Sequence, residues 1–291
     1  MRLGGEPESG NFEDRTGQSG GLSLGGGAGA GIFGLIFQLV ASRFGIVGII
    51  ILGLGYCALT SIGGLGGGGP VGGKEGPSRL DAETRSFMVR TLGSTEETWA
   101  EIFQKSGATY TPTTMVAYSN SSQSGCGAAQ AAMGPFYCPT DKKIYIDPQF
   151  FAELKQRFGA PGDFAAAYVI AHEVGHHIQD LEGTLDRART AQARSSEVAS
   201  NQVQVGVELQ ADCYAGVWAA TARDAQGSIL EPGDIEEGMR AAEAIGDDTL
   251  QKQMQGRVVP ESFTHGSSAQ RMEALQRGLK SGNPAACNYA R

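Results

Sequence analysis

Apolar positions at a helical period mark five segments of this chain, and short runs of strand character mark three. Asp81 is placed to cap a helix running through Val89. Ser94 with Glu97 forms a capping box that opens another, carrying Trp99, Ile102 and Phe103. Thr114–Ser119 reads as a strand, and residues 135–147 as two more about a turn at Pro139, Thr140 and Asp141. Pro148 starts a helix with Phe150, Phe151, Leu154 and Phe158 on one face. Asp163 caps a long helix that Gly183 ends in the left-handed position, and a second long helical segment runs from Ser195 to Ala225. These elements predict an α+β domain in which a small antiparallel sheet packs against helices, two of them long.

One apolar run belongs to neither class. Phe44–Ile62 holds 19 residues without a charge, close to the ~20 that cross a bilayer as a helix. A second apolar stretch, Gly31–Ser42, precedes it across Arg43 and extends the membrane segment to 31–62. Of the 44 glycines, 25 fall in residues 1–76. A glycine-rich chain has few side chains to offset backbone ordering, so residues 1–30 are expected to be a disordered head and 63–79 a flexible linker. Order is expected from Leu80, with one domain over 80–291. Some 30 polar and glycine-rich residues precede the apolar run, which does not fit a cleaved secretory signal, so the expectation is a single retained membrane helix.

The formal net charge of −8, with no basic cluster, excludes the electrostatic footprint of a nucleic-acid binder. Flanking charge leaves orientation nearly a tie. Cysteine usage is more informative: Cys57 lies in the span, and Cys126, Cys138, Cys213 and Cys287 form an even set without CxxC spacing, which suits two disulfides. Three pairings are open, with Cys126–Cys138 across a short loop the preferred one. Disulfides place the domain on the extracytoplasmic side.

The chemistry concentrates in His172-Glu173-Val174-Gly175-His176 on the first long helix. Residues four apart share a helical face, so both imidazoles can reach one metal ion, with the Glu173 carboxylate beside it as a base for water. Chance matches to HExxH in a chain with four histidines are expected roughly 0.004 times. A catalytic zinc needs a third protein ligand, and Glu208, on the second long segment, supplies it. Asp212, one turn on, is placed to accept the ring N–H of a ligand histidine. His265 follows Ser-Phe-Thr in a loop and is a candidate for oxyanion stabilisation, or a capping residue. His177 points away from this face and reads as structural, as do the strand tyrosines Tyr137 and Tyr145. Residues 125–133, small and polar, are a candidate edge for an extended substrate.

HExxH followed by ExxxD on a later helix resembles the gluzincin zinc peptidases. The set NFEDR (11–15), GPFYCPTDKKIYID (134–147), HEVGHHIQ (172–179), ELQADCYAGVW (208–218) and SFTHGSSAQR (262–271) resembles more closely the putative neutral zinc metallopeptidase family. That resemblance implies a zincin-like metallopeptidase fold, zinc held by His172, His176 and Glu208, Glu173 as base, and a protein or peptide substrate. A noncatalytic, membrane-anchored binding protein with a structural zinc or none is the alternative. The sequence sets neither substrate nor oligomeric state.

Overall fold

The computed structural model describes residues 1–18 and 76–290. The membrane segment 31–62 and most of the linker lie outside the described residues, among which no helix is long and apolar enough to cross a membrane. The described chain is α+β, with eight α-helices and a four-stranded sheet.

Helix α1 (Ala82–Lys105) begins where Asp81 accepts a hydrogen bond from the Thr84 amide. It runs unbroken through the expected boundary at Ser94. Ser94 is buried inside it, accepting a hydrogen bond from Trp218 Nε1 at 3.2 Å, so its hydroxyl serves a tertiary contact and not a cap. The neighbouring Gly93 lets another stretch of backbone cross the helix: a Cβ there would lie 2.1 Å from the Pro7 carbonyl oxygen.

That crossing strand of chain is the head. Residues 1–18 are ordered against the domain, contrary to the expected disorder, and Phe12–Arg15 form strand β1. Charged and polar side chains fix this segment where apolar burial is scarce. Arg90 of α1 donates to the Glu6 carbonyl at 2.6 Å and to the Glu8 carboxylate at 2.9 Å. Ser9 and Asn11 each donate to Glu96 at 2.8 Å. Strand β1 runs parallel to β2 (Thr114–Tyr118), with Phe12 opposite Met115 and Arg15 opposite Tyr118.

Two short strands that the sequence reading did not identify, β3 (Ser121–Ser124) and β4 (Gly127–Gln130), form a separate hairpin, the second of them inside the small, polar stretch 125–133. Strands β5 (Phe136–Cys138) and β6 (Lys143–Ile146) follow as the sequence predicts. The sheet order is β1-β2-β6-β5. It is mixed and not antiparallel: β1–β2 and β2–β6 are parallel, and only β5–β6 is antiparallel. The reason is topological. Chain passing through β3, β4 and β5 between β2 and β6 returns β6 in the direction of β2, and the head adds a further parallel edge.

Helices α2 (Gln149–Gln156), α3 (Asp163–Leu181), α4 (Thr184–Gln192) and α5 (Glu197–Thr221) come next. After a two-residue ladder (Arg223–Asp224 with Gly227–Ser228) follow α6 (Asp234–Ala244), α7 (Asp247–Gln255) and α8 (Ser268–Ser281). Gly183 is left-handed at φ 71° beyond α3. Asp163 is the first helical residue of α3 and not its cap; its carboxylate, with Glu231 and Asp234, faces the Met1 ammonium.

The core forms around α3 and α5. Ile170, Val174 and Ile178 of α3 meet Met115 and Ile144 of the sheet, Trp99 of α1, and Leu209 and Val217 of α5. Close approach of the two long helices depends on Gly175, where a Cβ would sit 3.0 Å from the Ala211 Cα. Helix α8 lies against α5 at Gly216 and Gly278, where a Cβ on Gly278 would fall 2.0 Å from the Cys213 carbonyl oxygen. Disulfides Cys126–Cys138 and Cys213–Cys287 are both formed; the first ties the β3–β4 hairpin to β5 and the second ties the C-terminal segment to α5.

Candidate metal centre

Two imidazoles, one edge-on to the other, and a carboxylate meet where α3 crosses α5. The His172 and His176 rings lie 4.7 Å apart, and Glu208 Oε2 is 3.1 Å from Nε2 of the first and 3.5 Å from Nε2 of the second. All three side chains are largely buried. Each offers one donor atom within 4.8 Å of the others, a set that can hold a metal ion.

The orientation of each ring is fixed from its far side. His172 Nδ1 is 2.7 Å from Asp212 Oδ1. An ionised carboxylate only accepts, so Nδ1 carries a hydrogen and Nε2 is the nitrogen turned toward Glu208 and available to a metal. His176 Nδ1 lies 2.9 Å from Gln179 Oε1. The Gln179 amide nitrogen donates to the Val207 carbonyl and to Gln210 Oε1, which leaves its oxygen as the acceptor for that ring. Gln204, one turn before Glu208, donates to Glu208 Oε1 at 2.9 Å and leaves Oε2 facing the imidazoles.

Asp212 is the hub behind the site. It accepts from His172, from the Tyr168 hydroxyl at 2.6 Å, and from Arg271 of α8 through Nε and Nη2, both at 2.8 Å. Burial works against its charge, but the Arg271 guanidinium and then His172 outweigh it and bring its pKa down to about 2. Breaking a buried pair on one side leaves an uncompensated charge. Arg271→Met is therefore expected to lower folding stability by about 3–5 kcal/mol, read as an earlier midpoint in urea at unchanged m-value. A loss below about 1 kcal/mol would place the pair among weak surface contacts.

The field inside the site favours a cation. Burial opposes a charged imidazole at His172, yet the Asp212 carboxylate and then Glu208 overcome it and lift this group to about 10. His176 is raised for the same reason, with Glu208 the opposing cause to burial, and Glu208 itself is held well below the usual carboxylate range, chiefly by His176 and His172 against burial. The electrostatics that hold protons at the two Nε2 positions also suit a metal ion, so the donor set fits zinc in both chemistry and charge.

Glu173 is the group left over. It is buried, burial raises its pKa, and its Oε2 has no hydrogen-bond partner among the described residues. A buried carboxylate oxygen without a partner is costly in a core and is understandable where a reactant is to be held. His265 stands at the rim, with its side chain 42% exposed. Its Nδ1 is 3.2 Å from Asp247 Oδ1, and Asp247 Oδ2 accepts the amides of Thr264, His265 and Gly266, so one carboxylate fixes both loop and ring. Partial burial works against a charged His265, but Asp247 and then Glu208 raise its pKa. His177 is buried on a face of α3 about 100° round from His176. Its Nε2 is 2.7 Å from the Thr111 carbonyl and its Nδ1 3.1 Å from the Tyr137 hydroxyl, which identifies both residues as packing groups. Tyr145 bonds Asp141 in the hairpin and takes no part in the site.

Sequence reasoning thus located His172, Glu173, His176, Glu208 and Asp212 together, and missed Arg271, Tyr168, Gln179 and Gln204. Tyr168 and Gln204 could have been read from spacing, each being one helical turn before a site residue. Arg271 could not, since it arrives from α8.

A family model for putative neutral zinc metallopeptidases matches residues 1–290. The chain belongs to this family. Relatives include the uncharacterized protein YpfJ of Escherichia coli (strain K12), 45% identical over 292 residues that cover 99% of this chain and 98% of that protein. The uncharacterized protein Rv2575 of Mycobacterium tuberculosis is 41% identical over 223 residues, covering 72% of this chain and 73% of that one. No solved structure matches the chain.

Proposed function

We propose that this protein is a membrane-anchored zinc endopeptidase with a zincin-like site, in which His172, His176 and Glu208 hold the metal and Glu173 is the general base. The observation that supports this most is the partnerless Glu173 oxygen beside a three-donor cluster. A structural zinc takes four protein ligands, whereas a catalytic one takes three and leaves a position open. Among the described residues this cluster has three, which favours the catalytic reading over a binding protein with a structural ion.

Zinc, when bound, supplies Lewis acidity that acidifies water and polarises a peptide carbonyl. The protein's own groups do the rest. Glu173 orients the attacking water and accepts its proton at Oε2. The same carboxyl, its affinity for that proton raised by burial, then delivers it to the departing amide nitrogen. Asp212 keeps the His172 ring in one tautomer, and Gln179 does the same for His176. His265, with Nδ1 occupied by Asp247, presents Nε2 to the negative charge that grows on the carbonyl oxygen.

An extended peptide would lie along β5. This strand ends the sheet order, runs antiparallel to its one partner, and is joined to α3 through Tyr137 and His177. Residues 127–130, part of the edge expected from sequence, instead pair with β3.

Two disulfides fit an extracytoplasmic domain, and the 44–62 run supports a bilayer anchor. Digestion of a peptide library by the full-length protein in detergent tests the reading, with chelator-treated protein as the control. Internal cleavage that chelation abolishes is the expected result; no cleavage by zinc-loaded protein would remove the enzyme assignment. His265→Ala is expected to retain zinc and lose roughly 10²- to 10³-fold in turnover, the scale of a lost oxyanion donor. Unchanged kcat in that variant would return His265 to a capping role.

A further inference from the structure

The points at which the described chain breaks off and resumes are in contact. Gly76 N donates to the Gly17 carbonyl at 3.0 Å, Arg79 N donates to Thr16 Oγ1 at 2.9 Å, and the Ser78 hydroxyl donates to Asp14 Oδ2 at 2.5 Å. A Cβ on Gly17 would fall 2.3 Å from the Gly76 carbonyl oxygen, so the two backbones touch there. Just before this junction β1 is paired along its whole length with β2 of the domain. Residues 1–18 and 76–290 therefore fold on the same side of any membrane. This holds even if β1 were exchanged with a second copy of the chain, because that copy's domain would share the compartment.

A single crossing between residues 18 and 76 would put β1 and its sheet on opposite faces. The expected single-pass arrangement is incompatible with this fold. The charge pattern offers the remedy. Between Arg15 and Lys74 the only charged residue is Arg43. It divides uncharged runs of 27 residues (16–42) and 30 residues (44–73), and each exceeds the ~20 residues that a spanning helix needs. The first run is rich in glycine and alanine, residues that let two helices approach closely in a membrane.

We propose that the chain crosses the bilayer twice between residues 18 and 76, with Arg43 at the turn on the far face and both β1 and the metal-binding domain on the near one. The two disulfides of the domain put the near face outside the cytoplasm and Arg43 on the cytoplasmic side. The proposal depends on membrane anchoring and is independent of peptidase chemistry.

The test is cysteine accessibility in full-length protein expressed in bacterial cells, in a Cys57→Ser background. Gly10→Cys probes the head, where a Cβ has open space, Val198→Cys probes the domain at an exposed position, and Ser42→Cys probes the turn. A membrane-impermeant maleimide is applied to cells with a permeabilised outer membrane. A preserved Cys213–Cys287 disulfide certifies that each variant is folded, and Gly4→Cys, also in open space, replaces Gly10→Cys if it is not. The expected result is equal labelling of the head and domain variants, with the turn variant labelled at least about ten-fold less until the inner membrane is breached. Head and domain labelled from opposite faces would overturn the proposal, as would a turn labelled together with them. Release of the wild-type chain from membranes by alkaline extraction would overturn the anchor itself, a failure distinct from either labelling pattern.

Discussion

Glu173→Gln is expected to keep the fold and one zinc per chain while losing 10²- to 10⁴-fold in turnover, the usual contribution of a general base. The substitution is nearly isosteric, and it sits where Oε2 has no partner among the described residues, so no native hydrogen bond at that atom is lost. The metal donors His172, His176 and Glu208 are unchanged. What disappears is the ability to accept a proton from water: an amide oxygen at that position can hold the water but cannot deprotonate it. Steady-state cleavage of a fluorogenic peptide, with zinc measured on the same sample, reads both quantities. Turnover at the wild-type rate would reassign the base, because it would show that water is activated without Glu173.

Glu208→Ala acts on binding. Two imidazoles alone form an incomplete site, and the carboxylate that supplies most of the negative field at His176 would be gone. Zinc affinity should fall by more than the 10- to 100-fold that follows loss of a group merely supporting a ligand, and peptide cleavage should vanish with it. Asp212→Asn, which leaves all three donors in place, is expected to show only that smaller loss. Competition against a chromogenic chelator ranks the two variants. Equal zinc affinities would mean that Glu208 is not a ligand.

The parts of this fold that could be read from sequence are those where a local rule and the tertiary structure agree. HExxH and ExxxD encode their geometry in helical spacing, and Gly183 encodes a left-handed turn whatever surrounds it. The pairing of Cys126 with Cys138 follows from a short loop between strands. The errors arise where a distant element decides the outcome. Ser94 has the form of a cap, but Trp218 claims its hydroxyl and the helix continues through it. Residues 1–18 of the head are poor in apolar side chains, yet they order because Arg90 and Glu96 of α1 and the edge of β2 supply polar partners. Helices α6, α7 and α8 were not foreseen, and with them came Arg271, whose guanidinium neutralises Asp212.

The central claim is that a zinc ion at His172, His176 and Glu208 makes this chain a peptidase, and zinc titration into chelator-stripped full-length protein tests it most directly. Peptide cleavage, followed in parallel with bound metal, is predicted to rise with added zinc and saturate at one ion per chain. Saturation of the site with no cleavage of any peptide, or cleavage unaffected by stripping, would contradict it.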